Sequence, residues 1–360
     1  MTITPTLPLL VAGNKGALSM PVSIGGLGRH VVMALLFGIA GFTAGACASG
    51  GARPASDEAV FTATEDGRQE VFVVGAASGH VIRLSDIEGS DRAPAWSPNS
   101  KQVGFLSDRS GLPTIWLMDG AGHEEHAAFP DEVGPVVRFF WSPDSRHMSY
   151  EVMRDGTTAI FVGDVTTGRN EAVPHSAVRV GLGGWSPDGK WVLYSALDAS
   201  DQGVRRHNLG GVNEVRISRG ADFNALWSPD GDHVAFNRRS GDGSFRLVVS
   251  NPSGNSERVV SYGSHDDTDF AWSPDGKQIV FVSNRDGNPE VYAASADGNK
   301  VTRLTYNRAS DESPRWSKSG KAILFVSDMD GDFDLYQMRP DGSAQVRLVN
   351  THQDEREGDW

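Results

Sequence analysis

From residue 59 onward, apolar positions come in short runs separated by turns rich in Gly, Asp, Asn and Pro. Residues 272–298, WSPDGKQIVFVSNRDGNPEVYAASADG, show the pattern most clearly. After Trp272, Ser273-Pro274-Asp275-Gly276 is a tight reversal: Pro274 presets φ and Gly276 tolerates the positive φ that follows. Ile279 to Ser283 then reads as a strand buried on both faces. Asn284-Arg285-Asp286-Gly287-Asn288 is a second turn, and Val291-Tyr292-Ala293 begins a further strand. No helical period competes with this pattern after residue 46.

The phrase repeats. Trp96, Trp141, Trp185, Trp227, Trp272, Trp316 and Trp360 lie 45, 44, 42, 45, 44 and 44 residues apart, and Ser-Pro follows five of them. Trp316 keeps Ser317 but has Lys318 in place of proline, while Trp116 and Trp191 fall off the grid as packing residues within strands. A fourth short strand closes most units, seen in Val81-Ile82-Arg83-Leu84 and Val301-Thr302-Arg303-Leu304. Four strands per unit of this length predict an all-β chain forming a β-propeller. Val60-Phe61-Thr62-Ala63 begins a blade that lacks its first strand, and the chain stops at Trp360 inside a first strand without followers. Residues 355–360 are therefore expected to pair with the strands of residues 61–74, so that N- and C-terminal strands share one blade and close a seven-bladed ring. The alternative is six blades, with one terminal fragment packed elsewhere.

The first 56 residues contain no Asp or Glu. Lys15 and Arg29 precede an apolar stretch at 31–43, and Ala44-Gly45-Ala46-Cys47-Ala48 follows. This is a secretory signal in outline, with translation starting at Met1 or Met20. The sequence thus divides into a signal peptide over 1–46, a flexible tether over 47–58 and a propeller over 59–360. Cys47 is the single cysteine, which excludes an intrachain disulfide. Its setting resembles a bacterial lipobox, with Ala44 where Leu is usual. That resemblance implies lipidation at Cys47 and an exported protein, periplasmic or at the cell surface, anchored to the membrane.

Trp-Ser-Pro-Asp-Gly-Lys at 272–277, with apolar strands that end in Ser-Asp-Arg as at 107–109, looks like the TolB-like propeller repeat. The resemblance covers residues 59–360. It implies a scaffold in the cell envelope, a monomer that binds an envelope protein or a basic peptide or ligand. TolB itself resembles a six-bladed propeller behind a small α/β domain, and prolyl-oligopeptidase-like peptidases carry a hydrolase after the same blade type. Neither extra domain is expected here.

Charge and motif content narrow the chemistry. A net charge of −13 offers no basic excess for a nucleic-acid backbone. No Gly-x-Ser-x-Gly elbow occurs, and His123-Glu124-Glu125-His126 lacks the zincin spacing. Asp328, Asp330 and Asp332 resemble the start of a calcium loop, but Gly331 and Arg339 fall at the wrong places, so a turn is the favoured reading and no cofactor is expected. Five residues before each tryptophan stand Asp91, Val136, Val180, Asp222, Asp267, Asp311 and Glu355. The five carboxylates are expected to ring the axial channel mouth, either as turn caps or as an acidic funnel for a basic partner. The rival to a scaffold is a propeller lyase or hydrolase using carboxylates such as Asp267 and Asp311 at that mouth.

Overall fold

A computed structural model describes residues 58–360, apart from Ile87, Glu132, Val133, Val212 and 350–352. Residues 1–57, which hold the expected signal peptide, Cys47 and all but the last residue of the expected tether, lie outside the described residues; Glu58 already belongs to a strand. The described chain is all β: seven antiparallel four-stranded sheets form a ring of seven blades. The first strands are Asp91–Trp96, Val136–Trp141, Val180–Trp185, Asp222–Trp227, Asp267–Trp272 and Asp311–Trp316 in blades 2 to 7, and Glu355–Asp359 in blade 1.

Blade 1 joins the two ends of the sequence. Glu355–Asp359 pairs antiparallel with Glu58–Glu65, matching Val60 with Asp359 and Ala63 with Glu355. The Thr62 hydroxyl donates to the Arg356 carbonyl at 3.0 Å. The ring therefore has seven blades, and blade 1 has no open edge on its inner side.

Seven apolar clusters lie between successive blades. The one between blades 5 and 6 is typical: Ala235, Leu247 and Val249 pack against Trp272, Phe281 and Tyr292. Second strands are buried on both faces, so their alternation is apolar throughout, and Phe105, Phe236, Phe281 and Phe325 are fully buried at equivalent places. Each such ring removes enough apolar surface from water to contribute about 2–3 kcal/mol.

The turn after each tryptophan closes through its serine. Ser273 Oγ donates to Asp275 Oδ1 at 2.7 Å and accepts the Gln278 N–H at 2.9 Å, while Gly276 takes φ 70°. First strands bulge where Ala93, Asn224, Asp269, Ser313 and Glu357 adopt positive φ. These belong to the five blades with a carboxylate two residues earlier; blades 3 and 4, with Val136 and Val180, show no positive φ there. The bulge frees backbone groups, and the closing strand supplies partners: Glu357 accepts the Ala93 N–H at 2.6 Å and Asp359 that of Trp96 at 3.1 Å.

Candidate functional site: the loop face of the ring

Antiparallel order within each blade puts the turns between strands 1 and 2 and between strands 3 and 4 at one end. The turns between strands 2 and 3 and the loops into the next blade lie at the other end, here called the loop face. Asx side chains tie these loops together. Asp108 Oδ1 accepts the Ser90 N–H at 2.7 Å, Asn284 Oδ1 that of Asp266 at 2.9 Å and Asp328 Oδ1 that of Ser310 at 2.7 Å.

The five carboxylates before the tryptophans lie at this end, but none is at the surface: Asp91, Asp222, Asp267, Asp311 and Glu355 are all 0% exposed. Three are held by arginine. Arg109 Nη2 reaches Asp91 at 2.8 Å and Arg285 Nη2 reaches Asp267 at 2.9 Å. In blade 5 Arg238 stands directly opposite Asp222 in register and binds both carboxylate oxygens. The guanidinium groups also lie over aromatic rings, Arg109 over Trp116 at 4.6 Å and Arg285 over Tyr292 at 4.6 Å. Pairing of this kind offsets the cost of burying the charges and leaves little field for a distant ligand.

Asp311 is different. Met329 occupies the place that Arg109 and Arg285 hold after the second strand. Asp311 instead accepts from Asn307 Nδ2 at 2.7 Å, and burial pushes its carboxyl up to about 6. Glu355 hydrogen-bonds to Asp334 across the junction of blades 7 and 1. Burial and the neighbouring Asp330 carboxyl push Asp334 up to about 6 as well.

The calcium-like segment is arranged otherwise than its sequence suggests. Asp330, Asp332 and Asp334 bring ligand atoms within 4.8 Å of one another, whereas Asp328 turns away to its Ser310 tie. Arg347 bridges Asp330 and Asp334, lying 2.9 Å from the latter. The same fork recurs as Arg83 with Glu65 and Glu70, and as Arg303 with Asp286 and Glu290. A device repeated in three blades to neutralise buried acids reads as structural. In the His123–His126 segment, His126 Nδ1 lies 2.7 Å from the Glu124 carbonyl and Glu125 pairs with Arg109 at 2.6 Å.

Exposed apolar side chains mark the loop face more clearly. Among the described residues, Leu112, Met153, Val178, Tyr262, Tyr306 and Met329 are large, apolar and exposed; five belong to turns or loops at this end, and Met153 lies near the end of the second strand His147–Arg154, beside the turn that follows it. A seventh, Val346, is on an outer strand. Tyr262 and Tyr306 are 69% and 71% exposed. Exposed charge of both signs lies around them, acids at Asp66, Asp86, Glu88, Asp155, Asp286 and Asp330 and arginines at Arg154, Arg179, Arg219, Arg239 and Arg308. On the ring axis, a cavity of about 470 Å³ is lined by Arg138, Asp269 and Arg315 among tryptophan rings, with Arg315 bound to Asp269 at 3.0 Å.

A family model described as the TolB beta propeller domain matches residues 185–358, from the third anchoring tryptophan into the closing strand. The domain is a TolB-like β-propeller. The Tol-Pal system protein TolB of Bordetella pertussis is 27% identical over 150 residues, 41% of this chain and 34% of that protein. Dipeptidyl-peptidase 5 of Porphyromonas gingivalis is 23% identical over 250 residues, 62% of this chain and 34% of that protein. The chain thus aligns with about a third of the length of each of these curated relatives. Among solved structures, a puromycin hydrolase superposes with TM-score 0.68 at 13% identity, over 83% of this chain and 53% of that one. At that identity the likeness is one of fold. TolB-like blades thus occur in proteins named for different activities, so the site carries the functional argument.

Proposed function

We propose that this TolB-like propeller is exported and acts as a monomeric protein-binding scaffold in the cell envelope, with the loop face as its docking surface. The observation that carries this reading is segregation: among the described residues, six of the seven exposed large apolar side chains lie on one end of the ring. Aromatic and methionine side chains of this kind anchor interfaces, and the exposed acids among them, Asp66, Asp86, Glu88 and Asp155, suit a partner that brings basic residues around an apolar centre. The buried carboxylates serve the fold. Asp267 and Asp311, fully buried, do not reach a substrate at the mouth, which favours the scaffold over a lyase or hydrolase.

Export rests on the signal-like segment, and membrane attachment on lipidation of Cys47. The mass of the mature N-terminus, compared between the natural chain and Cys47→Ala, tests the anchor. For the docking face, a photo-crosslinking residue is placed at Tyr262, at Tyr306 and, as the opposite-face control, at Lys277. Crosslinks to one discrete protein from the two tyrosine positions and none from Lys277 are the expected result. Equal labelling from both ends of the ring, or none from the tyrosines, would sink the proposal.

A further inference from the structure

The arginine fork has two helpers in blades 1 and 6 and neither of them in blade 7. In blade 6 both oxygens of the buried Glu290 are supplied with donors. Arg303 lies at 2.6 Å, Asn288 Nδ2 at 2.9 Å, the Thr305 hydroxyl at 2.7 Å and the Asn307 N–H at 3.2 Å. Blade 1 repeats the plan around Glu70, with Ser85 in the place of Thr305 and Arg68 in that of Asn288. Blade 7 keeps the arginine, as Arg347, but has Val349 where the hydroxyl was and Asp332 where Asn288 donates. Two donors to a buried acid are thus replaced by an apolar side chain and a further acid.

Asp334 is left short of donors. It is 0% exposed, Arg347 takes its Oδ2, and among the described residues no N–H or O–H reaches its Oδ1. Its contact with Glu355 joins two carboxyl groups and holds only while they share a proton. Charge is out of balance as well. Around Glu290 stand Asp286 and Asp311, faced by Arg303 and Arg285. At the matching places blade 7 has Asp330, Asp332, Asp334 and Glu355 against Arg347, because Met329 replaces the second arginine. Arg356 is turned to Asp354 at 3.8 Å and lies over the Phe333 ring. Compared with blade 6, this cluster carries two more negative charges, with an unsupplied oxygen buried among them.

We propose that Asp330, Asp332 and Asp334 bind a hard divalent cation of the calcium class. Their ligand atoms lie within 4.8 Å of one another, and two oxygens on opposite sides of a calcium ion are about 5 Å apart. The ion makes up the two missing charges and gives Asp334 Oδ1 a partner, as Asn288 and Thr305 do for Glu290. The three acids run from exposed Asp330 through half-buried Asp332 to buried Asp334, so the ion enters from solvent and water completes its shell. Arg347 holds one oxygen each of Asp330 and Asp334, and its charge keeps the affinity low, with a dissociation constant of about 10⁻⁴–10⁻³ M.

The test is thermal unfolding of the intact chain above neutral pH, after a chelator has removed bound metal. Calcium, magnesium and sodium chloride are compared at equal ionic strength. Asp332→Asn gives blade 7 the amide that blade 6 already has, so it keeps the fold while removing a ligand. Calcium at about ten times its dissociation constant is expected to raise the natural melting temperature by about 2 °C and to leave Asp332→Asn unchanged. Without calcium the variant should melt above the natural chain, because its amide donates to Asp334 as Asn288 donates to Glu290. Terbium luminescence gives a second readout through Tyr336, which stands opposite Arg347 in register on the strand that Asp334 begins. Saturable emission that calcium displaces, absent from Asp332→Asn, is the expected result. A calcium shift no larger than that of sodium, an equal shift in the variant, or stronger protection by magnesium overturns the proposal.

Discussion

Arg238 grips Asp222 with two parallel hydrogen bonds, Nε to one carboxylate oxygen at 2.7 Å and Nη2 to the other at 2.8 Å. The pair spans the first two strands of blade 5, and the acid has no access to water. Removing the arginine alone strands a buried charge. Arg238→Met is therefore expected to lower unfolding free energy in urea by about 3–5 kcal/mol. Adding Asp222→Asn should restore a good part of the loss, since the uncompensated charge is then gone. Equal losses in the single and double variants would show that the pair acts by packing alone.

Asp311, Asp334 and Glu70 give the ring a pH dependence of definite sign. Burial raises the first two to about 6 and Glu70 to about 7. Between their unfolded values near 4 and these folded values, the native state binds more protons than the unfolded chain. Stability from these groups is thus greatest in mild acid and falls as pH rises through about 4 to 7. Melting curves between pH 5 and 8 should show the decline, and Asp311→Asn should flatten it. Asp144, held near 2 by its turn hydrogen bonds, acts in the opposite sense and only at more acid pH, below its unfolded value.

Met329→Arg supplies the clamp that Asp311 lacks. The guanidinium would occupy the place of Arg109 and Arg285 beside the second-strand serine, here Ser327. The variant is expected to be more stable at pH 8 than the natural chain and nearly unchanged at pH 5, where Asp311 is largely protonated. A gain of the same size at both pH values would point to surface charge instead.

The loop-face tyrosines should be dispensable for folding. Tyr262→Ser is predicted to change unfolding free energy by no more than about 0.5 kcal/mol, because a side chain exposed to this degree leaves no cavity. Phe281→Ala, in the core between blades 5 and 6, should cost about 3–5 kcal/mol in the same urea titration.

Architecture was legible because each blade repeats the same reversal, and the tryptophan spacing counts blades directly. The terminal fragments predicted closure for the same reason: a first strand and its three followers can only complete each other. The burial of Asp91 and Asp267 was not legible. Arg109 and Arg285 read as turn residues, and only the register shows that each returns to an acid 18 positions earlier. Asp334 was missed as a member of the acidic trio because it begins a strand, beyond the turn where Asp328 stands. Tyr262 and Tyr306 had a faint signal, an aromatic just after the fourth strand in an otherwise polar loop. Alternation analysis looks for periodic apolar positions and passes over isolated ones.

The junction in blade 1 also orders events in time. Thr62 and Arg356 are 294 positions apart, yet they share a hydrogen bond in one sheet. During synthesis the first blade must wait with one strand missing until residues 355–359 emerge, so local blades form early and this latch engages after them. A chain cut short before Gln353 would keep six potential blades but never engage it. Such a product would leave sheet edges open to proteases and to other chains, and the cell could discard it without recognising any sequence.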